Sequence, residues 1–460
     1  MTYDVAIIGG GISGLATAYS LQLQGYSVVV LERQQQVGGN AISQNINGFL
    51  MEHGPSTLNA MVPQARQLAT ELGLADQQIE LGQGVTKRYL RNGDKLHGIS
   101  TSRVGFLLSP YLSVGGRLSL LTEIFRSRKI GTEDETVHAF VSRRFGREFA
   151  DKVMAPLTAG MFGGDAKNMS VAAVFPTLLE MEQRHGSITR GIIRAKRNSE
   201  PAKRLFSFKK GVASLPLALA SALGTSIQTG VAVKSLNQRG NGYEIQTHRE
   251  GNLLARSVVL AVQPHVVAQL MEKLDEPCAT ITAQIDAPPM SVVFLGYHRS
   301  QIAHPLDSLG YMSLQNTGGL ITGAQFSSTM FADRAPEGFV SIAAYVGGVS
   351  NRAAAGLPAK ELTEIVQNEL QALLQIKGQP VLSRCRQWAR SLPQYELGHL
   401  KKVAVLNSLA ERHHGLYLTG NYLAGVSMAS CIGQARTTAG RVGRFLQGVA
   451  ERPSEKINAG

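Results

Sequence analysis

Residues 9–14 read Gly-Gly-Gly-Ile-Ser-Gly, which sets Gly9, Gly11 and Gly14 in a GxGxxG pattern directly after the apolar run 5–8 and directly before an alanine- and leucine-rich stretch. This spacing predicts a buried parallel strand, a tight turn and a helix. In that setting Gly9 permits the turn, Gly11 lets the backbone approach a pyrophosphate, and Gly14 lets the helix pack on the strand. The phosphates would rest on the positive N-terminal end of the helix. A second apolar strand, residues 27–31, ends in Glu32, whose carboxylate would accept hydrogen bonds from a ribose 2'-hydroxyl. A glycine turn alone is a weak signal. Strand, helix, strand and terminal acid together predict a dinucleotide site.

A chain of 460 residues with 43% hydrophobic content can build a large core and exceeds what one domain usually carries, so two or three domains are expected. The first strand begins at Tyr3, leaving no room for a secretory signal, and no apolar run is long enough to span a bilayer. A cytoplasmic location is the expectation. Cys278, Cys385 and Cys431 are widely spaced and form neither a disulfide framework nor a metal cluster, so all three read as buried packing residues.

The net charge of +13 is concentrated between Lys87 and Lys210. Within that basic region residues 104–125, VGFLLSPYLSVGGRLSLLTEIF, are too short and interrupted to cross a bilayer but suited to lie in its surface. An anionic membrane surface is therefore one expected partner, making the protein peripheral on the cytoplasmic face; an ordinary solvated basic face is the alternative. Nucleic acid is not expected, because no zinc-finger or RNP-type motif is present.

Residues 85 to 200 are mainly helical in pattern, with a helix start expected near Thr132 and its following acids. Alternating strands return around 225–248 and 255–264. Near the end, residues 416–418 form a short strand followed by Gly420-Asn421 and a helix opening near Val426, while the polar tail 451–460 reads as disordered.

The stretch RQQQVGGN, residues 33–40, joins Glu32, the basic Arg33, a short spacer and the pair Gly38-Gly39, and resembles the extended motif of the FAD-containing amine oxidase superfamily. Five further stretches, distributed over almost the whole chain, resemble the protoporphyrinogen oxidase family within it. They are HGPSTL (53–58), APLTAGMFGGDAKNMSVAAVFPTLLEMEQRHGSI (155–188), FSSTMFADRAPEG (326–338), LPQYELGH (392–399) and GNYLAGVSMASCI (420–432). The resemblance implies an α/β fold: a Rossmann-like FAD-binding domain interleaved with a mixed-sheet substrate domain and a mainly helical, membrane-facing domain. FAD-binding segments would be 1–84, 201–268 and 405–450, the helical domain 85–200, the substrate domain 269–404, and the tail 451–460.

The cofactor implied is FAD, held by Gly9, Gly11, Gly14, Glu32, Arg33, Gly38, Gly39, Val231, Gly420, Asn421 and Val426. Val231 and Val233 would lie on a strand beside the adenine. The backbone of Val426 and Ser427, at a helix N-terminus, would stabilise negative charge on the reduced flavin. The activity implied is oxidation of protoporphyrinogen IX to protoporphyrin IX in haem biosynthesis, by successive hydride transfers to flavin N5 with reoxidation by oxygen or another acceptor. No dedicated catalytic side chain and no metal site is implied. Family positions bring Gly160, Met312, Gln325 and Tyr345 to the porphyrinogen substrate, and handover of product to a ferrochelatase is a further implied partnership.

Three departures from the family pattern bear on the substrate. DSLGYM (307–312) stands where the family commonly has a Gly-Phe-Gly turn and apolar residues, polar Gln325 stands for an aliphatic side chain, and residues 56–61 lack the basic residue that many relatives carry there. Arg88 and Arg91 are candidate substitutes for that cation, since an unpaired carboxylate in a dry pocket costs several kcal/mol. Coproporphyrinogen III, another amine-like substrate, and a flavin-retaining porphyrin-binding protein without turnover stay open as alternatives.

Overall fold

The computed structural model describes residues 2–100, 105–106, 109–131, 133–196, 205–249, 251–314 and 318–448. Its first sheet is built from chain segments far apart in sequence. Thr2–Ile8 pairs in parallel with Val28–Leu31 on one side and with Asn252–Leu260 on the other. Leu416–Leu418 adds in parallel to the last three residues of Asn252–Leu260, and Gly242–Thr247 adds antiparallel to its first half. The parallel strands are continuous apolar runs because helices or strands cover both faces. Val28–Leu31 is buried at all four positions. Helices Ile12–Gln22, Ser214–Leu223 and Met428–Leu446 supply one side of this core, and Pro264–Met271 and Glu276–Ala283 contribute to the other.

The second sheet runs in the order Leu382–Trp388, Met290–His298, Phe339–Gly347, Ile321–Phe326, Ser308–Ser313, Lys87–Asn92, Lys95–Ser100. The helix Ala359–Leu374 covers one face with Leu362, Val366, Leu370 and Leu374, four residues apart and therefore on one stripe. Phe49 and Met51, from the hairpin Ser43–Ile46 and Phe49–Glu52, pack on part of the other face against Val292 and Phe294. The sequence reading places residues 85–200 in a helical segment, but 87–100 form a hairpin that extends this sheet. Its alternation is masked by basic residues on both faces, Lys87 and Arg91 on the face of Tyr89 and Arg88 and Lys95 on the face of Leu90.

The helical part is fastened by a buried ion pair. Arg144, on Val137–Phe145, meets Glu123, and both are fully buried. Burial alone would raise the Glu123 carboxyl, but hydrogen bonds from Ser187, Thr189 and Arg144 hold it down to about 2. Those same bonds tie the Thr122–Phe125 turn to the start of Ile188–Lys196. The helix expected to open near Thr132, which lies outside the described residues, begins at Val137. Thr136 caps it, its Oγ1 accepting from the Ala139 amide at 3.1 Å.

Cys278 and Cys431 are buried and Cys385 is half-buried, all as free thiols. Among the described residues no helix is long and apolar enough to cross a membrane, and no cluster of three metal-ligating side chains occurs. The tail 451–460 lies outside the described residues.

Candidate dinucleotide and substrate site

The glycine turn gathers one group of sequence-predicted residues. Gly9 donates to the Leu31 carbonyl at 2.9 Å and Gly38 donates to the Gly10 carbonyl at 2.8 Å, so the two glycine pairs face each other. A Cβ on Gly14 would lie 2.0 Å from the Gly9 carbonyl oxygen, which excludes any side chain there. Gly11 differs. A Cβ on it would find only the Cα of Gly39, at 3.9 Å, so no protein contact requires the glycine. The space between Gly11 and Gly39 is a cradle beside the N-terminus of Ile12–Gln22, where first-turn amides carry no intrahelical partner.

Glu32 stands beside this cradle. Its Oε2 accepts from the Gly10 amide at 2.7 Å and its Oε1 from the Gln34 amide at 2.7 Å, which fixes the carboxylate and leaves lone pairs for hydroxyl donors. Val231 lies next to it, donating its amide to the Glu32 carbonyl at 2.8 Å. Val231 is not on a strand as the sequence reading expects. The strand starts at Val233, and Val231 is a buried residue of the preceding loop. Its amide is spent on Glu32, so it cannot join the ladder.

Arg33 is exposed and lies near His265, whose imidazole is held below its ordinary pKa first by burial and then by Arg390 and Arg33. Neither arginine makes an ion pair among the described residues. Both guanidiniums act on His265, and with no such pair an anion such as a pyrophosphate would offset their charge. These residues fit a dinucleotide. Arg390 is a cation the sequence reading missed, since no motif marks it.

The substrate-side residues lie on the face of the second sheet opposite Ala359–Leu374, where Phe49 and Met51 pack at one end and Tyr111 and Leu112 pack on Leu90 at the other. Leu90, Met312, Gly323, Tyr345, Val292 and Arg386 are in register across six adjacent strands. Gly310, Gln325, Ala343 and Phe294 form the neighbouring row. Met312 and Tyr345 therefore stand two strands apart, about 10 Å, with glycine between them. Gly160, on Ala155–Phe162, closes on this row: a Cβ there would lie 3.1 Å from the Met312 sulfur. Small residues thus alternate with larger ones along this face, Gly323 between Met312 and Tyr345 and Gly310 beside Gln325.

The Tyr345 hydroxyl donates to Gln325 Oε1 at 3.1 Å, with Ser56 as a further hydrogen-bond partner. Burial, followed by the nearby Glu52 carboxylate, pushes the phenol pKa up, so it stays protonated. Glu52 itself is buried, its carboxyl pushed up to about 7 by desolvation despite hydrogen bonds from Ser43 and Val212. The segment 53–58 joins this face to the glycine cradle, because Gly54 packs so tightly that a Cβ would lie 2.1 Å from the Asn40 carbonyl oxygen.

The departures from the family pattern find structural reasons. Asp307 pairs with Lys87 at 2.9 Å and accepts from the Tyr89 hydroxyl at 2.7 Å, so it fastens the added hairpin. Arg91 is not a substrate cation: it is buried and paired with Glu369 on the helix-covered side. Arg88 alternates with Tyr89, whose ring belongs to that covered core, so Arg88 projects on the same face as Leu90 and Met312.

The third group, Gly420, Asn421 and Val426, lies between Leu416–Leu418 and Met428–Leu446. The helix starts two residues beyond Val426, with Ser427 as its cap, accepting from the Ser430 amide at 3.1 Å. Trp388, the only tryptophan of the chain, was missed by the sequence reading although its rarity is a signal. Its indole N–H donates to the His53 carbonyl at 2.7 Å, fixing the 53–58 segment.

The model of the family described as "Flavin containing amine oxidoreductase" matches residues 12–443. Protoporphyrinogen oxidase 1 of Arabidopsis thaliana is 28% identical over 97% of this chain and 89% of its own. Coproporphyrinogen III oxidase of Bacillus subtilis is 25% identical over 94% of this chain and 96% of its own. A crystal structure of an Exiguobacterium protein assigned to protoporphyrinogen oxidase superposes with a TM-score of 0.85 at 21% identity, covering 96% of this chain and 98% of that one.

Proposed function

Because the chain belongs to the flavin containing amine oxidoreductase family, an FAD-dependent oxidoreductase group, we propose that it oxidises protoporphyrinogen IX to protoporphyrin IX. The observation that carries this reading is the row Met312, Gly323, Tyr345, in which a glycine separates two large side chains by about 10 Å, with Gly160 packed on Met312. A flat, largely apolar macrocycle would lie against such a face, and the relatives named for porphyrinogen oxidation align over nearly the full chain. Bound FAD supplies the two-electron acceptor for the hydride.

The residues of this chain would bind, orient and exclude water. Gly9, Gly11, Gly14, Gly38 and Gly39 leave room for the pyrophosphate, Glu32 accepts from the ribose hydroxyls, and Arg33 and Arg390 offset the phosphate charge. Gly420, Asn421 and the backbone at Val426 border the flavin end. Gly160, Met312, Gln325 and Tyr345 hold the macrocycle, and Arg88, on the same face, meets a substrate carboxylate.

The Tyr345–Gln325 pair favours a second reading, coproporphyrinogen III, whose four carboxylates offer more polar contacts than the two of protoporphyrinogen. Gln325→Leu removes that polar pair and should raise the ratio of protoporphyrinogen to coproporphyrinogen turnover several-fold while FAD content stays full. An unchanged ratio would remove Gln325 from substrate selection.

A lipid surface belongs to the same proposal, because a porphyrinogen partitions into membranes. Val114, Leu118, Leu121 and Phe125 are 75%, 59%, 59% and 82% exposed and follow one another by four, three and four residues along Val114–Leu121 and Thr122–Phe125. Exposed Arg128 and Lys129 follow directly, supplying charge for anionic headgroups. Transfer of product to a ferrochelatase at that surface completes the reading.

A further inference from the structure

Residues 388–399 cross each wall of the site. Trp388 holds segment 53–58 through the His53 carbonyl, as described above. Gln394 is buried, and its Nε2 donates at 2.9 Å to the carbonyl of Phe162, the last residue of the helix that carries Gly160. A Cβ on Gly164 would lie 2.4 Å from Gln394 Oε1, so the carboxamide is closely confined. The next residue, Tyr395, is also buried and reaches the opposite wall. Its hydroxyl donates to the Asn421 carbonyl at 2.5 Å and accepts from the Gly425 amide at 2.9 Å.

These two bonds pin both ends of loop 421–425, which precedes the capped helix Met428–Leu446. The Tyr395 ring is itself clamped by His399, stacked at 4.0 Å between centroids with planes 12° apart. One hydroxyl thus satisfies a part-buried acceptor and a part-buried donor at once, which phenylalanine cannot do.

We propose that Tyr395 and Gln394 are paired positioning residues, Tyr395 fixing the 421–425 backbone toward the flavin and Gln394 fixing the Gly160 helix toward the substrate. Because they are consecutive, one backbone segment sets the spacing between the cofactor wall and the substrate wall. The Tyr395 half requires only that the chain binds FAD; the Gln394 half rests on the porphyrinogen reading.

Tyr395→Phe keeps the stacked ring and removes the hydroxyl. The expected result is an apoprotein melting a few degrees below wild type, FAD binding weakened about ten-fold, a lowered midpoint potential of the bound flavin, and an unchanged KM for the porphyrinogen. Gln394→Leu is expected to raise KM several-fold while the FAD dissociation constant and potential stay at wild-type values. Unaltered FAD affinity and potential in Tyr395→Phe would overturn the proposal, as would parallel changes in all readouts in both variants, which describe a strap with only a stabilising role. If Tyr395→Phe does not fold, hydrogen exchange at the Gly425 amide of the wild-type apoprotein reads the same bond: protection is expected, and free exchange would overturn the proposal. FAD affinity and potential are read without substrate, so failure of the porphyrinogen reading is separable from failure of the Tyr395 assignment.

Discussion

Gly11 and Gly14 stand three residues apart in one motif and meet opposite constraints. Gly14 is required by the protein itself, since a Cβ would sit 2.0 Å from a backbone oxygen; Gly11 has open space beside it. Gly14→Ala should therefore destabilise the apoprotein by roughly 2–3 kcal/mol. Gly11→Val should leave the apoprotein melting temperature nearly unchanged and abolish FAD retention. Thermal denaturation of both apoproteins and flavin content after purification check the contrast, and full flavin content in Gly11→Val would refute the placement of the pyrophosphate.

At the same scale, His399 couples the stack on Tyr395 to pH. Burial, with a smaller contribution from Lys402, pushes its imidazole down to about 4. An unfolded chain takes up the proton near the ordinary histidine value while the folded chain resists it, so stability is present above about 6.5 and is lost as pH falls toward 4. That difference is worth roughly 3 kcal/mol at 1.36 kcal/mol per pKa unit. His399→Phe, which preserves stacking, should flatten the melting temperature against pH over that window; an unchanged slope would assign the acid sensitivity elsewhere.

Among the elements, the glycine turn and its flanking strands were legible because short-range spacing encodes them: the backbone needs small residues at fixed offsets. The added hairpin Lys87–Ser100 was not legible, because an edge hairpin with basic residues on both faces carries little apolar alternation. Val231 was misread for a related reason. It is apolar and β-branched like its neighbours, but its amide bonds to Glu32, a partner about two hundred residues away that no local pattern reports.

The apolar stripe on Val114–Leu121 and Thr122–Phe125 makes a separate expectation. The wild-type protein should float with anionic vesicles and do so less as salt rises. Leu118→Ser with Phe125→Ser should reduce flotation several-fold while leaving FAD content intact. Failure of the wild type to float would return this stripe to an ordinary exposed helix face.

For the whole molecule, the architecture follows from interleaving. The first sheet needs residues 2–8, 28–31, 252–260 and 416–418, so the glycine cradle and loop 421–425 come together only when both ends of the chain meet. The sequence motifs named the pieces of this site, while their arrangement depends on long-range pairing that sequence spacing does not contain. Arg91 shows the limit well: in sequence it is as good a substrate cation as Arg88, and only the register of the second sheet turns it toward Glu369. Arg390 and Trp388 were invisible to motif reading because their partners, His265 and His53, lie far away in the chain.

The central claim is that this arrangement takes electrons from a porphyrinogen. Anaerobic mixing of the FAD-loaded protein with protoporphyrinogen IX, and separately with coproporphyrinogen III, tests it by following flavin absorbance and then porphyrin fluorescence on admission of oxygen. The account expects rapid bleaching by protoporphyrinogen, followed by porphyrin fluorescence and return of the flavin absorbance. Bleaching by coproporphyrinogen alone would move the substrate to the tetracarboxylate, and absence of bleaching with either would contradict the account.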